Sequence, residues 1–105
     1  MDIVFEKDYL AELYYNGKAS DKKHRFQPEI VKRYKLRIET LEAANNIEDL
    51  LPIKSLHYEV LKGNKDERSS IRVNNQYRIE FTVNESESKT TAIICNIIEL
   101  SNHYK

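Results

Sequence analysis

Tryptophan is absent, cysteine occurs once, and glycine and proline occur twice each. With one thiol, no disulfide can close within the chain. Cys95 lies in an alternating apolar run between Ile93 and Ile97. It reads as a small buried hydrophobe in a reducing compartment rather than as a nucleophile. So few glycines and prolines argue against long loops or linkers, and no glycine-rich phosphate cradle is present. Charge of one sign is missing too: 17 basic residues balance 17 acidic ones. No apolar run approaches the length of a membrane span, and a charged residue follows Met1 with no apolar leader behind it. His24, His57 and His103 are too dispersed for a short metal-ligand motif.

Seven tyrosines, three phenylalanines and 40% hydrophobic residues are enough for one core. The 105 residues are expected to form a single domain over positions 1–105. The neutral total hides a polarity. Eight basic residues lie between Lys18 and Arg37 (Lys18, Lys22, Lys23, Arg25, Lys32, Arg33, Lys35, Arg37), against Asp21 and Glu29. From Glu39 to Asp49 the sign reverses. Such a block is either a nucleic-acid footprint or a solvated helix face.

Asp2 to Phe5 reads as a first strand. Tyr9, Leu10, Leu13 and Tyr14 then mark a helical face over Lys7 to Asn16, with Gly17 placed to end it. Phe26 pins the basic connector that follows. Pro28 suits the first turn of a second helix reaching about Ala44, whose stripe is Ile30, Val31, Tyr34, Ile38 and Leu41. Lys32, Arg33, Lys35 and Arg37 fall on its wet sides. The rest is β: His57 to Leu61, a hairpin over Ser69 to Val83, and a long run from Thr90 to Leu100. The long run is apolar on both sides, which marks a central or covered strand. Ser101 to Lys105 is too short for an element. The expected class is α+β, with two N-terminal helices packed on one face of an antiparallel sheet.

The hairpin register follows from its alternation. A two-residue loop would oppose apolar to polar residues at every pair. A three-residue loop, Asn74-Asn75-Gln76, pairs Val73 with Tyr77, Arg72 with Arg78 and Ile71 with Ile79, and keeps each face uniform. Two arginines then oppose each other on the wet face, which is unfavourable. Either an anion binds there or Glu80 neutralises them.

His57, Lys62, Arg72, Arg78, Glu99, His103 and Tyr104 suit phosphodiester chemistry. Metal-free RNA cleavage needs a base for the 2′-hydroxyl, an acid for the 5′ oxygen, and fixed cations around phosphorus. Histidine can serve as acid and base, and arginine or lysine as the cation.

Leu56-His57, Leu61-Lys62-Gly63 and Ser70-Ile71-Arg72-Val73-Asn74-Asn75-Gln76-Tyr77-Arg78-Ile79 resemble motifs of the HigB branch of the RelE/ParE toxin superfamily. That family typically reads L-H-P-L-K-G, then S-I-R-V-N-x-x-W-R-I-x-F, and closes on D-Y-H. Here the first motif is two residues longer, Tyr77 stands for the aromatic, and the tail reads Asn102-His103-Tyr104. The resemblance implies a RelE-like fold and a type II toxin that cuts mRNA in the ribosomal A site, without a cofactor. It implies a cytoplasmic protein held by a HigA-like helix-turn-helix antitoxin, which reaches operator DNA only through that partner. By position, Lys62 and Arg78 match the motif as phosphate and transition-state stabilisers, and Arg72 adds a phosphate contact. His57 and His103 are candidates for acid–base work, with Tyr104 orienting substrate or replacing one of them. Two alternatives stay open: a ParE-like toxin that poisons DNA gyrase without cutting RNA, and an inactive homologue that only binds the antitoxin.

Overall fold

The computed structural model describes residues 1–63, 67–84 and 93–102. Strand β1 (Asp2–Phe5) leads into helix α1 (Asp8–Asn16), which buries Tyr9, Leu10 and Leu13. Gly17 ends α1 at φ +76°, and its N–H donates to the Leu13 carbonyl at 3.2 Å. That left-handed conformation is the one a Cβ disfavours. A 3₁₀ turn at Lys22–His24 follows, capped by the Asp21 carboxylate accepting from the His24 N–H at 2.9 Å.

Helix α2 (Pro28–Ala43) buries Ile30, Val31, Tyr34, Ile38 and Leu41, the stripe expected from its spacing. The Tyr34 hydroxyl donates to the Leu10 carbonyl at 2.7 Å and ties the two helices together inside the core. Burial raises its pKa, because the phenolate would have no water there. Phe26 does pin the connector: its ring meets Tyr77 edge-on, centroids 5.3 Å apart.

After two further 3₁₀ turns, Ile47–Asp49 and Lys54–Leu56, come β2 (Glu59–Val60), β3 (Ser69–Arg72), β4 (Tyr77–Asn84) and β5 (Ile94–Asn102). They form one five-stranded sheet in the order β1-β5-β4-β3-β2. All neighbours are antiparallel except β1 and β5, which run parallel. The helices and the sheet's inner face enclose the core of Leu10, Leu13, Ile71, Ile79, Phe81 and Ile97. Burying each such side chain contributes about 1.5–3 kcal/mol before chain entropy is subtracted.

Three sequence expectations change. His57 to Leu61 is not one strand, because only Glu59–Val60 pairs. Ser101 and Asn102 belong to β5 rather than to a loose tail. The face expected to be wet is closed around Ser70 and Arg78, both of which are buried.

Strand β5 lies inside the sheet, as its two-sided apolar run requires. It also carries a bulge. Glu80 pairs with Glu99 while Phe81 pairs with Ile97, so Ile98 is an extra residue. Uninterrupted alternation would send Cys95, Ile97 and Glu99 to the same side. The extra residue resets the phase, so Leu100 enters the core while Glu99 and Ser101 join Arg78 on the outer face.

Candidate functional site

The outer-face site begins at the hairpin tip. Asn74 Oδ1 accepts from the backbone N–H groups of Gln76 (2.9 Å) and Tyr77 (2.7 Å). This side-chain turn holds the three-residue loop. The Val73 N–H donates to the Tyr77 carbonyl at 2.9 Å, and Arg72 then pairs with Arg78 and Ile71 with Ile79. The register read from the sequence is therefore the one in the fold. By antiparallel alternation, the Arg72–Arg78 pair is of the type without mutual backbone bonds, where side chains stand closest.

Two guanidiniums so placed repel each other, and the fold gives each of them its own acceptors. Arg78 turns inward: its Nε donates to Ser70 Oγ at 2.9 Å, and its Nη2 donates to the His57 carbonyl. It is 8% exposed. Arg72 turns outward, and its Nη1 donates to His57 Nε2 at 3.2 Å. Glu80 neutralises neither of them. It accepts from Arg68 Nη1 at 3.1 Å. Among the described residues no carboxylate forms a salt bridge with Arg72 or Arg78.

His57 gathers both arginines because of its backbone. It ends the Lys54–Leu56 turn at φ +45°, ψ +50°. A left-handed conformation costs a residue with a Cβ roughly 1–2 kcal/mol. It also breaks β2 before it can reach Arg72, and aims the His57 carbonyl and ring at opposite guanidiniums. A guanidinium can only donate, so Nε2 is the accepting nitrogen in the contact with Arg72.

The missing strand partner leaves the Arg72 carbonyl at an edge. Arg37 of α2 fills that place, with its Nε donating to the carbonyl at 2.9 Å. Burial lowers the Arg37 pKa, and the nearby charges of Arg33 and Arg72 add to the effect. Arg25, Arg33 and Arg72 line an adjoining cleft of about 680 Å³ between the start of α2 and the hairpin tip, together with Gln76 and Tyr77 of the hairpin. Among the described residues the acid that lines this cleft is Glu29, exposed and 3.9 Å from Arg33. Positive charge is thus concentrated here although the chain is neutral overall.

The structure brings together His57, Arg72 and Arg78. Lys62 lies exposed in the turn after β2, and no described contact joins it to the arginines. His103 and Tyr104 fall outside the described residues. Arg37 and Ser70 were not anticipated. The four-residue spacing of Arg33 and Arg37 shows that they share a flank of α2, but no pattern in the chain says which strand that flank meets. Cys95 is fully buried, and burial pushes its thiol from 9.0 up to about 12, which removes it from nucleophilic chemistry. No group of three metal-ligating side chains gathers among the described residues. No helix among them is long and apolar enough to cross a membrane.

The sheet order and paired helices are those of a known toxin fold. A solved structure described as a YoeB/ParE toxin from Agrobacterium tumefaciens superposes with a TM-score of 0.55, covering 99% of this chain and 100% of that one at 18% identity. The likeness at this identity concerns the fold. Among curated proteins, none matches the sequence. The family model described as the RelE-like toxin of the type II toxin–antitoxin system HigB matches residues 3–94. The chain belongs to this HigB-like family of type II toxins.

Proposed function

We propose that the protein is a ribosome-dependent mRNA endoribonuclease acting in the cytoplasm, neutralised by a HigA-like helix-turn-helix antitoxin. The observation that supports this reading is Arg78. A guanidinium does not shed its proton to escape burial, and a buried charge without a counter-ion costs several kcal/mol. Among the described residues Arg78 is held by neutral oxygens only, and an incoming phosphate would supply the opposite charge that they do not.

The chemistry needs no group beyond the chain and the RNA. Arg78 binds a non-bridging oxygen of the phosphate within the codon in the A site. Arg72 leaves His57 for the same phosphate, which frees the Nε2 lone pair. His57 then takes the proton of the 2′-hydroxyl. The 2′ oxygen forms a bond to phosphorus while the bond to the 5′ oxygen breaks. The leaving oxygen receives a proton from an acid, for which His103 and Tyr104 are the tail candidates. The products are a 2′,3′-cyclic phosphate and a 5′-hydroxyl. Lys62 contributes a more distant phosphate contact.

Purified ribosomes programmed with mRNA test the reading. The wild-type protein gives discrete cuts within codons, and Arg78→Ala makes them about 10²–10³-fold more slowly. Intact mRNA with the wild-type protein refutes the ribonuclease reading. If supercoiling by gyrase is then blocked, the protein acts as ParE-type toxins do.

A further inference from the structure

Two serines stand side by side on β3 and face opposite sides of the sheet. Ser69, opposite Phe81, turns to the core side, where its hydroxyl lies 2.8 Å from the Tyr58 hydroxyl. Ser70 turns to the outer face, is fully buried there, and accepts from Arg78 Nε at 2.9 Å. In the register Ser70 stands between Glu59 of β2 and Glu80 of β4, and Arg78 stands opposite Arg72. Arg78 therefore leans along the diagonal of the strand pair to reach Ser70. A guanidinium carries two forks of N–H groups, a side fork of Nε and Nη2 and an end fork of Nη1 and Nη2. In Arg78 both nitrogens of the side fork donate to the protein, Nε to Ser70 and Nη2 to the His57 carbonyl. Nη1 makes no hydrogen bond among the described residues. Yet no side-chain nitrogen or oxygen among them is both buried and unbonded. The 8% of Arg78 that stays exposed therefore includes Nη1.

We propose that Ser70 is the positioning residue of Arg78. With the His57 carbonyl it commits the side fork to the protein, so that an RNA phosphate is taken end-on, by Nη1 and the second proton of Nη2. The identity of the phosphate rests on the ribonuclease reading, whereas the commitment of the fork stands without it. Two acceptors on two separate segments, β3 and the turn at His57, fix both the plane of the guanidinium and its rotation. Ser70 suits the task because it is neutral. A carboxylate in its place would cancel the charge and compete with the phosphate, whereas a hydroxyl orients the guanidinium and leaves the charge free. Its side chain is also short, and strands on both sides hold its backbone, so the acceptor sits on a rigid element.

The test compares Ser70→Ala with Ser69→Ala on programmed ribosomes and follows the arginine side chains of the ¹⁵N-labelled protein by NMR. Ser70→Ala keeps the Arg78 charge and removes the acceptor of Nε. Its expected single-turnover cleavage at saturating ribosome is about tenfold slower. Half-saturation stays within about twofold of wild type, because the charge remains. Ser69→Ala, which removes the hydroxyl on the other face, cleaves as the wild type does. In the Arg78→Ala background Ser70→Ala changes the residual rate by less than about twofold, since it has no guanidinium to orient. An equal loss in both backgrounds overturns the proposal, because Ser70 then serves the fold. Undiminished cleavage by Ser70→Ala overturns it as well. The spectra read the fork without any reaction, and they decide alone if Ser70→Ala does not fold. In the wild type the Arg78 Nε–H exchanges slowly, and inorganic phosphate shifts the Nη resonances while Nε–H stays protected. Phosphate that shifts neither, or that releases Nε–H, overturns end-on capture. A wild-type protein that cuts no mRNA refutes the ribonuclease reading and leaves these spectra readable.

Discussion

Arg72 and Arg78 face each other across β3 and β4, and both donate to His57, one to its ring and the other to its carbonyl. One left-handed residue therefore accepts hydrogen bonds from both of the like charges that the strand register places opposite each other.

The first prediction concerns Arg78. On the proposed mechanism, Arg78→Ala removes the cation that meets the reacting phosphate and lowers single-turnover cleavage on programmed ribosomes by about 10²–10³-fold, the scale of one lost transition-state donor. Arg78→Lys keeps the charge but not the forked geometry that serves Ser70 and His57 together, and falls between the two. A lysine variant with full activity would show that a point charge is sufficient.

The second concerns His57. Glycine adopts the left-handed conformation without strain, whereas alanine does not. His57→Gly is therefore more stable than His57→Ala by about 1 kcal/mol in urea unfolding. On the proposed mechanism both variants lose cleavage, since neither keeps the imidazole that takes the 2′-hydroxyl proton. Equal stability of the two would mean that position 57 carries no backbone strain.

Arg37 provides the third. Arg37→Gln leaves the Arg72 edge carbonyl without its donor and costs about 1–2 kcal/mol in urea unfolding. Arg37→Lys recovers less than half of it, because the bond is made by the guanidinium Nε. Faster amide exchange in β3 with unchanged exchange in β1 localises the effect.

The fourth is a pH dependence. Burial raises the Cys95 thiol from 9.0 to about 12, and raises the Tyr9 and Tyr34 phenols as well. The folded protein then holds these protons more tightly than the unfolded chain does. Their contribution to stability is full below pH 9 and is lost as pH rises toward 12. Urea midpoints should fall across that window, and Cys95→Ala should flatten its early part despite a lower stability at pH 7. In the folded state Cys95 does not react with thiol reagents.

Much of this site was legible in the chain. The alternation on either side of Asn74-Asn75-Gln76 admits one loop length that keeps both faces uniform. That loop length places Arg72 opposite Arg78. The apolar stripe from Ile30 to Leu41 and the left-handed need at Gly17 are equally local, because each depends on residues within a turn or a strand pair. The same local rules misjudge the environment of those residues. Alternation says which face Arg78 occupies, but only the chain around His57, distant in sequence, makes that face a buried one. Alternation also sends Glu99 inward, and the bulge at Ile98 sends it outward, since a leucine at position 100 gains more from burial than a carboxylate does.

By itself, then, the sequence determined the hairpin register, the helix stripes and the pairing of the two arginines, because period and turn chemistry act over a few residues. Only the tertiary structure decided that Arg78 is buried with no carboxylate among the described residues beside it, that His57 gathers both guanidiniums and that Arg37 closes the edge. Those outcomes depend on which distant segment covers which face, and desolvation by a distant segment leaves no mark on local periodicity.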